Sequence, residues 1–215
     1  MPATTIKAVV FDYGGVIINP ITDHIGRVAQ RHGVSLEDLL YVLMGPRERS
    51  TADHPWHRAE RGEIAVADIP AAVGPWAAEK GIELAGDEYE AVLGGSFVVR
   101  DSVVAAIRAL RDAGYVTALL TNSFKEFRPV LEAAVDFGIF DHVIDSSEVG
   151  HRKPEPAIYE LTCRTLGVHA DEVAYLDDFL ANVEGARLAG WSAVHVTGEA
   201  EVLAAIAAAT GVALG

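Results

Sequence analysis

From position 101 onward the chain alternates amphipathic stretches with short apolar runs, and this alternation constrains its fold more than any other feature. Segments 101–113, 125–137, 156–166, 181–189 and 199–209 have helical periodicity, and Gly114, Gly167 and Gly190 stop three of them. Segments 115–120, 142–144, 172–176 and 191–196 read as strands between them. Strands separated by helices at such short spacing build βαβ units. The expected fold class is therefore α/β, with a parallel sheet covered by helices on both faces. One more apolar, β-branched run, 6–11, lies near the N-terminus and ends abruptly in Asp12 and Gly14-Gly15. It reads as a fully buried strand closed by a tight turn.

Between that strand and position 96 nothing reads as a strand, so the region is an α-helical insertion. Segment 22–32 is a helix with Thr22 as its N-cap and Gly33 beyond its end. Ser35-Leu36-Glu37-Asp38 has the form of a capping box and opens a second helix through Met44. The stretch 48–61 is polar and carries His54, Trp56 and His57. Segment 65–80 is helical but interrupted by Pro70 and Gly74-Pro75, and 87–93 is a further short helix before Gly94-Gly95.

Composition narrows the partners. Half of the 215 residues are apolar and 22% are charged, enough for a core. Acidic residues outnumber basic ones by 31 to 17, a formal charge of −14. Nucleic acid and anionic membranes require a basic footprint, so neither is expected as a partner. A single cysteine, Cys163, excludes a disulfide framework. No signal peptide or membrane-spanning stretch is visible, and a cytoplasmic location is the default expectation.

Three strands end in groups capable of chemistry: Asp12, Thr121-Asn122 and Asp177-Asp178. A fourth polar cluster, Gly150-His151-Arg152-Lys153-Pro154, precedes a helix. In a parallel sheet all strand C-termini face one way, so these groups can meet in one crevice. Three acids brought together repel unless a cation joins them, and carboxylates, carbonyls and water are what Mg²⁺ selects. A carboxylate beside Mg²⁺ and a lysine can attack phosphorus and form an aspartyl-phosphate.

The four clusters resemble the haloacid dehalogenase-like hydrolase superfamily, in particular members with a helical cap inserted after the first strand. The resemblance rests on Phe11-Asp12-Tyr13-Gly14-Gly15-Val16 and Leu120-Thr121-Asn122-Ser123. It rests equally on Arg152-Lys153-Pro154-Glu155-Pro156-Ala157-Ile158-Tyr159, and on Leu176-Asp177-Asp178 with Asn182-Val183-Glu184-Gly185-Ala186. The segment Trp56 to Arg58 with Glu60, Arg61, Gly62 and Glu63 looks like a cap segment of the same group. The resemblance implies a Rossmann-like three-layer core from residues 1–18 and 98–215, and an α-helical cap from 19–97. It implies a Mg²⁺-dependent phosphatase acting on a small phosphate ester. Asp12 would be the nucleophile and a metal ligand, with Asp178 and the carbonyl of Gly14 as further ligands and Asp177 assisting. Thr121, Asn122 and Lys153 would hold the phosphoryl group, with Tyr13 and Gly14 beside the substrate and Asn182 steadying the fourth motif. From the cap side Asn19, Trp56, His57 and Arg58 are candidates to face the substrate.

One position departs from that pattern. Phosphatases of this family carry a second Asp two residues after the nucleophile, which protonates the leaving group. Here Gly14 stands in its place. A phosphatase could then act on esters with good leaving groups, or take the proton from His54, His57 or Tyr13. Dehalogenases also lack that Asp, but they lack the acid pair at 177–178 as well. A catalytically silent protein that binds a phosphorylated metabolite or a protein partner is the remaining alternative.

Overall fold

The computed structural model describes residues 5–45, 54–83 and 97–214. Five strands form one fully parallel sheet: β1 (Ala8–Phe11), β2 (Val116–Thr121), β3 (His142–Asp145), β4 (Val173–Asp177) and β5 (Ser192–His195). Their order is β3-β2-β1-β4-β5, and Phe11 stands level with Leu119 on one side and Leu176 on the other. The chain builds outward from β1 in one direction and then crosses to build in the other. That reversal opens a crevice at the C-terminal ends of β1 and β4.

Period-two alternation along β1 sends its side chains into two separate cores. Val9 and Phe11 pack on one face with Val103, Ile107, Val202 and Ile206, whereas Ala8 and Val10 pack on the other with Ile158, Tyr159, Val183 and Ala186. All four β1 residues are buried, which is why they read as a continuous apolar run.

The inserted region contributes α1 (Ile21–His32), α2 (Leu36–Met44), α3 (Pro55–Glu60), α4 (Ile69–Ala72) and α5 (Gly74–Lys80). These share a third apolar cluster built on Ile25, Leu39, Leu43, Trp56 and Ile69, and Phe124 from beyond β2 joins it. The chain leaves and re-enters the sheet layer side by side, through the Ile18–Val99 bridge and the Asn19 amide donating to the Val98 carbonyl at 3.0 Å. Around the sheet lie α6 (Asp101–Asp112), α7 (Arg128–Ala134), α8 (Ser146–Val149), α9 (Pro156–Leu166), α10 (Leu180–Leu188) and α11 (Glu199–Thr210). No helix among the described residues is long and apolar enough to cross a membrane.

Three local expectations need correction, and one falls outside the described residues. Pro20, not Thr22, caps α1, because its extended backbone opens the helix without a side-chain bond. Segment 125–137 is shorter than its periodicity suggests. It divides into a 3₁₀ turn and α7, since Pro129 fits the first turn of a helix and not its interior. Part of the polar stretch 48–61 is helix α3, with His54 as N-cap and Pro55 in the first turn. The predicted 87–93 helix lies outside the described residues. Ser35 does cap α2, accepting from the Asp38 amide at 3.0 Å.

A buried ion pair fastens the helical insertion to the sheet layer. Glu60 of α3 accepts from the Trp56 indole at 2.9 Å with one oxygen and from Arg152 Nε at 2.5 Å with the other. The two charged side chains are only 5% and 9% exposed. Removing one member strands the other charge, at a cost of about 3–5 kcal/mol, while an apolar pair of similar volume is far better tolerated. Glu60→Leu should therefore destabilise the protein by about 3–5 kcal/mol in denaturant titration, and adding Arg152→Met should restore most of that loss. Simply additive losses would contradict this view of the pair.

Candidate active site

The sheet edge brings the predicted clusters together. Asp12 follows β1 directly, and its amide donates to the Leu176 carbonyl at 3.0 Å, which aligns it with Asp177 at the end of β4. The next turn passes Asp178 so closely that only glycine fits at position 15. Its φ is +67°, and a Cβ there would lie 2.0 Å from Asp178 Oδ2. Arg100 braces the same turn by donating to the carbonyls of Gly15 and Val16.

Lys153 is the centre of the site. Its side chain is 1% exposed, and its ammonium lies 2.7 Å from Asp12 Oδ1 and 2.9 Å from Asp177 Oδ2. It also donates to the Leu120 carbonyl at 2.9 Å. Three protons thus meet three acceptors, as a buried ammonium requires. Burial alone would lower its pKa, but the carboxylates of Asp12 and Asp177 outweigh burial and hold it above the ordinary lysine value.

Asp177 is fully buried and saturated. It accepts from the Phe179 amide at 2.7 Å, the Asn182 amide nitrogen at 3.0 and 3.2 Å, Lys153 and the Tyr175 hydroxyl. Its place is to hold Lys153, with little left for a cation or substrate. Asn122 is also turned inward. Its side chain accepts from the Lys153 amide at 2.9 Å and donates to the Lys153 carbonyl at 3.0 Å, a two-point clasp on the backbone of that residue. The Thr121 hydroxyl has a contact no better than 3.5 Å, to Asn122 O, and lines the same cavity.

A cavity of about 190 Å³ opens above this floor. Asp12, Gly14, Thr121, Asn122, Lys153 and Asp178 line it, as do Tyr13, Asn19 and Trp56; His57 and Arg58 are not among its lining residues. Asp12 Oδ1 is held by Lys153 and by the Tyr13 amide at 2.7 Å, which leaves Oδ2 for the cavity. The three residues considered as proton sources are placed elsewhere or occupied. The Tyr13 hydroxyl donates to the Leu131 carbonyl at 2.9 Å, and burial raises its pKa further. His54 stacks against Trp76 and His57 inside the helical insertion, where burial lowers its pKa to about 4.

The donor set suits a divalent cation. One carboxylate oxygen from each of Asp12, Asp177 and Asp178 lies within 4.8 Å of the others. Burial, and then the charge of Asp177, raise Asp12 well above the usual carboxylate range and lift Asp178 to about 7. Lys153 pulls both back but does not offset three acids. A cation held by Asp12 and Asp178 would remove that imbalance. Several partners were not evident from sequence: Tyr175, Arg100, Glu60 and the Leu120 carbonyl. Tyr175 lies two residues before Asp177 on one strand, so shared-face spacing was the available signal. Glu60 lies four residues after Trp56, a pairing that required α3 to be known.

Comparison with known proteins agrees with this geometry. The sesquiterpene phosphatase astK of Aspergillus oryzae is 28% identical over 197 residues, spanning 90% of this chain and 91% of that protein. The (S)-2-haloacid dehalogenase 4A of Burkholderia cepacia is 32% identical over 94 residues, 42% of this chain and 39% of that one. Three further curated relatives are much longer, and the match spans 18% to 21% of their length. A solved family enzyme from Bacteroides thetaiotaomicron, in complex with magnesium and inorganic phosphate, has a TM-score of 0.63 at 21% identity. The superposition covers 90% of this chain and 96% of that chain. The haloacid dehalogenase-like hydrolase family itself matches over residues 6–190, and the chain belongs to that family.

Proposed function

We propose that the protein is a Mg²⁺-dependent hydrolase of small phosphate monoesters, acting through an aspartyl-phosphate on Asp12. The carrying observation is that Asp12 lines the cavity with one carboxylate oxygen pinned by Lys153 and the Tyr13 amide and no such bond on the other. Residues 1–18 and 98–215 form the catalytic core in this reading, and 19–97 the cap that closes the cavity from above. The match to a phosphatase over nearly the full length favours phosphoryl chemistry. So does Asp178, a further carboxylate beside Asp12 that makes no ion pair with Lys153 and suits a cation.

Asp12 Oδ2 attacks phosphorus, the bond from phosphorus to the ester oxygen breaks, and the alcohol leaves. Water then cleaves the acyl phosphate and releases inorganic phosphate, regenerating the carboxylate. Lys153 orients the nucleophile and balances charge on the phosphoryl group, and the Thr121 hydroxyl donates to a phosphoryl oxygen. Asn122 and Asp177 act by fixing Lys153. Mg²⁺ bound by Asp12, Asp178 and the Gly14 carbonyl would offset the charge of phosphate and carboxylates together.

Gly14 supplies no proton, so the leaving oxygen departs as an anion or is protonated from water. Esters of acidic leaving groups are therefore the favoured substrates. A Cβ at position 14 meets nothing within 4 Å and no positive φ is recorded there, so crowding does not impose the glycine.

Three outcomes follow. Asp12→Asn should lower phosphate release from acetyl phosphate in Mg²⁺ on the order of 10⁴-fold or more. A variant keeping a tenth of the rate would remove Asp12 from its role, and metal-independent chloride release from a 2-haloacid would replace the reading. Gly14→Asp should raise turnover of simple alkyl phosphates by about 10²–10⁴-fold while leaving acetyl phosphate nearly unchanged; equal changes on both would contradict the missing-proton account. The third outcome concerns pH. Burial and the charge of Asp177 raise the Asp178 carboxyl from 3.8 to about 7 in the fold, so the metal-free fold binds the extra proton and loses stability as pH rises from about 4 to about 7. Mg²⁺ should therefore raise Tm more at pH 8 than at pH 5.5, by about 5–10 °C at a hundredfold excess over Kd. Asp178→Asn should flatten both trends, and a Mg²⁺ shift independent of pH would contradict the assignment.

A further inference from the structure

The cavity has an ionic floor, but its upper wall is apolar. Ile18 and Ile21 enter from the start of the insertion, Met44 from the end of α2, Phe97 from the returning chain, and Phe127 and Leu131 from around α7. More telling is what the polar groups of that wall are doing. The Tyr13 hydroxyl donates to Leu131 O, and the Trp56 indole to Glu60. The Asn19 side-chain oxygen accepts from the Val98 amide at 2.7 Å. Arg152 Nε is committed to Glu60, and His24 Nδ1 lies 2.8 Å from Arg27. Each of these groups makes a bond within the protein.

We propose that the ester's alcohol part is predominantly hydrocarbon, an alkyl or aryl body lying against this wall, with only the phosphate reaching the floor. The inference rests on the phosphate-ester reading above and narrows it. A sugar or nucleoside placed here would give up the hydration of several hydroxyls and meet a wall whose polar groups each already make a bond within the protein. Each buried hydroxyl left unpaired weakens binding by roughly 10- to 100-fold. Each methylene moved from water to the wall strengthens it about fourfold. These two effects have opposite signs for the two substrate classes, so the wall discriminates between them without any specific contact.

The test uses non-hydrolysable ligands, so that binding is read apart from turnover. Methyl, butyl, hexyl and octyl phosphonate are titrated calorimetrically into the whole chain with Mg²⁺, beside a fully hydroxylated six-carbon phosphonate. Kd should fall about fourfold per methylene from methyl toward hexyl, and the hydroxylated ligand should bind at least tenfold more weakly than hexyl phosphonate. Phe127→Ser and Phe97→Asn should flatten the chain-length series. A flat wild-type series, or tighter binding of the hydroxylated ligand, overturns the inference whether or not the variants fold. Acetyl phosphate turnover, measured in parallel, decides the hydrolase reading separately. Turnover with a flat series sinks this inference alone, and a steep series without turnover supports the apolar site while sinking the hydrolase.

Discussion

The site depends on one buried ammonium. Lys153 sits where β1, β2 and β4 end, and it bonds to Asp12, the Leu120 carbonyl and Asp177 at once. A lysine removed from water in this way would ordinarily lose its proton. Two carboxylates prevent that, and the cost of burying them is offset in turn by the ammonium and the hydrogen bonds on Asp177. The groups around it make sense as its support. Asn122 clasps its backbone, while Asn182 and Tyr175 saturate Asp177. Several residues that look catalytic by type therefore spend their polar atoms on Lys153 and its partners. What remains free to meet a substrate is small: one oxygen of Asp12, the Thr121 hydroxyl and Asp178.

This division gives the cavity its character. Its floor concentrates charge, and its wall has turned its polar groups inward. The Glu60–Arg152 pair is the clearest example, because it sits in the lining yet serves to fasten the helical insertion to the sheet layer. Gly14 has no side chain to donate a proton, and a Cβ there would meet nothing within 4 Å. On the proposed phosphatase reading, such a site favours leaving groups that depart without a donated proton.

Much of this was legible in the sequence, for identifiable reasons. Strand endings were readable because β1 and β4 are apolar runs cut off by carboxylates. A parallel sheet then carries Asp12, Thr121 and Asp177 to one edge with no further information. Helix caps were readable where a side chain makes the bond, as at Ser35, and misread at Pro20, where backbone geometry alone does it. The α3 helix was hidden because its six residues are too short for periodicity to show. Roles were harder than places. Asn122 and Asp177 stand where expected, but whether a side chain faces substrate or its own neighbour is decided by packing across distant strands. The proton-source candidates misled for the same reason, since His54 and Tyr13 lie close to the right elements but direct their polar atoms elsewhere.

The central claim is that Asp12 is the phosphoryl acceptor in a site that lacks a side-chain proton donor. Hydrolysis of the aspartyl-phosphate should then be slow, because nothing at position 14 activates water. The most direct measurement is mass spectrometry of the Asp12 peptide after acid quench of the Mg²⁺-loaded protein turning over acetyl phosphate. The account predicts one added phosphoryl group on Asp12 at high occupancy in the wild type and at clearly lower occupancy in Gly14→Asp. An unmodified Asp12 during turnover, or equal occupancy in the two proteins, would contradict it.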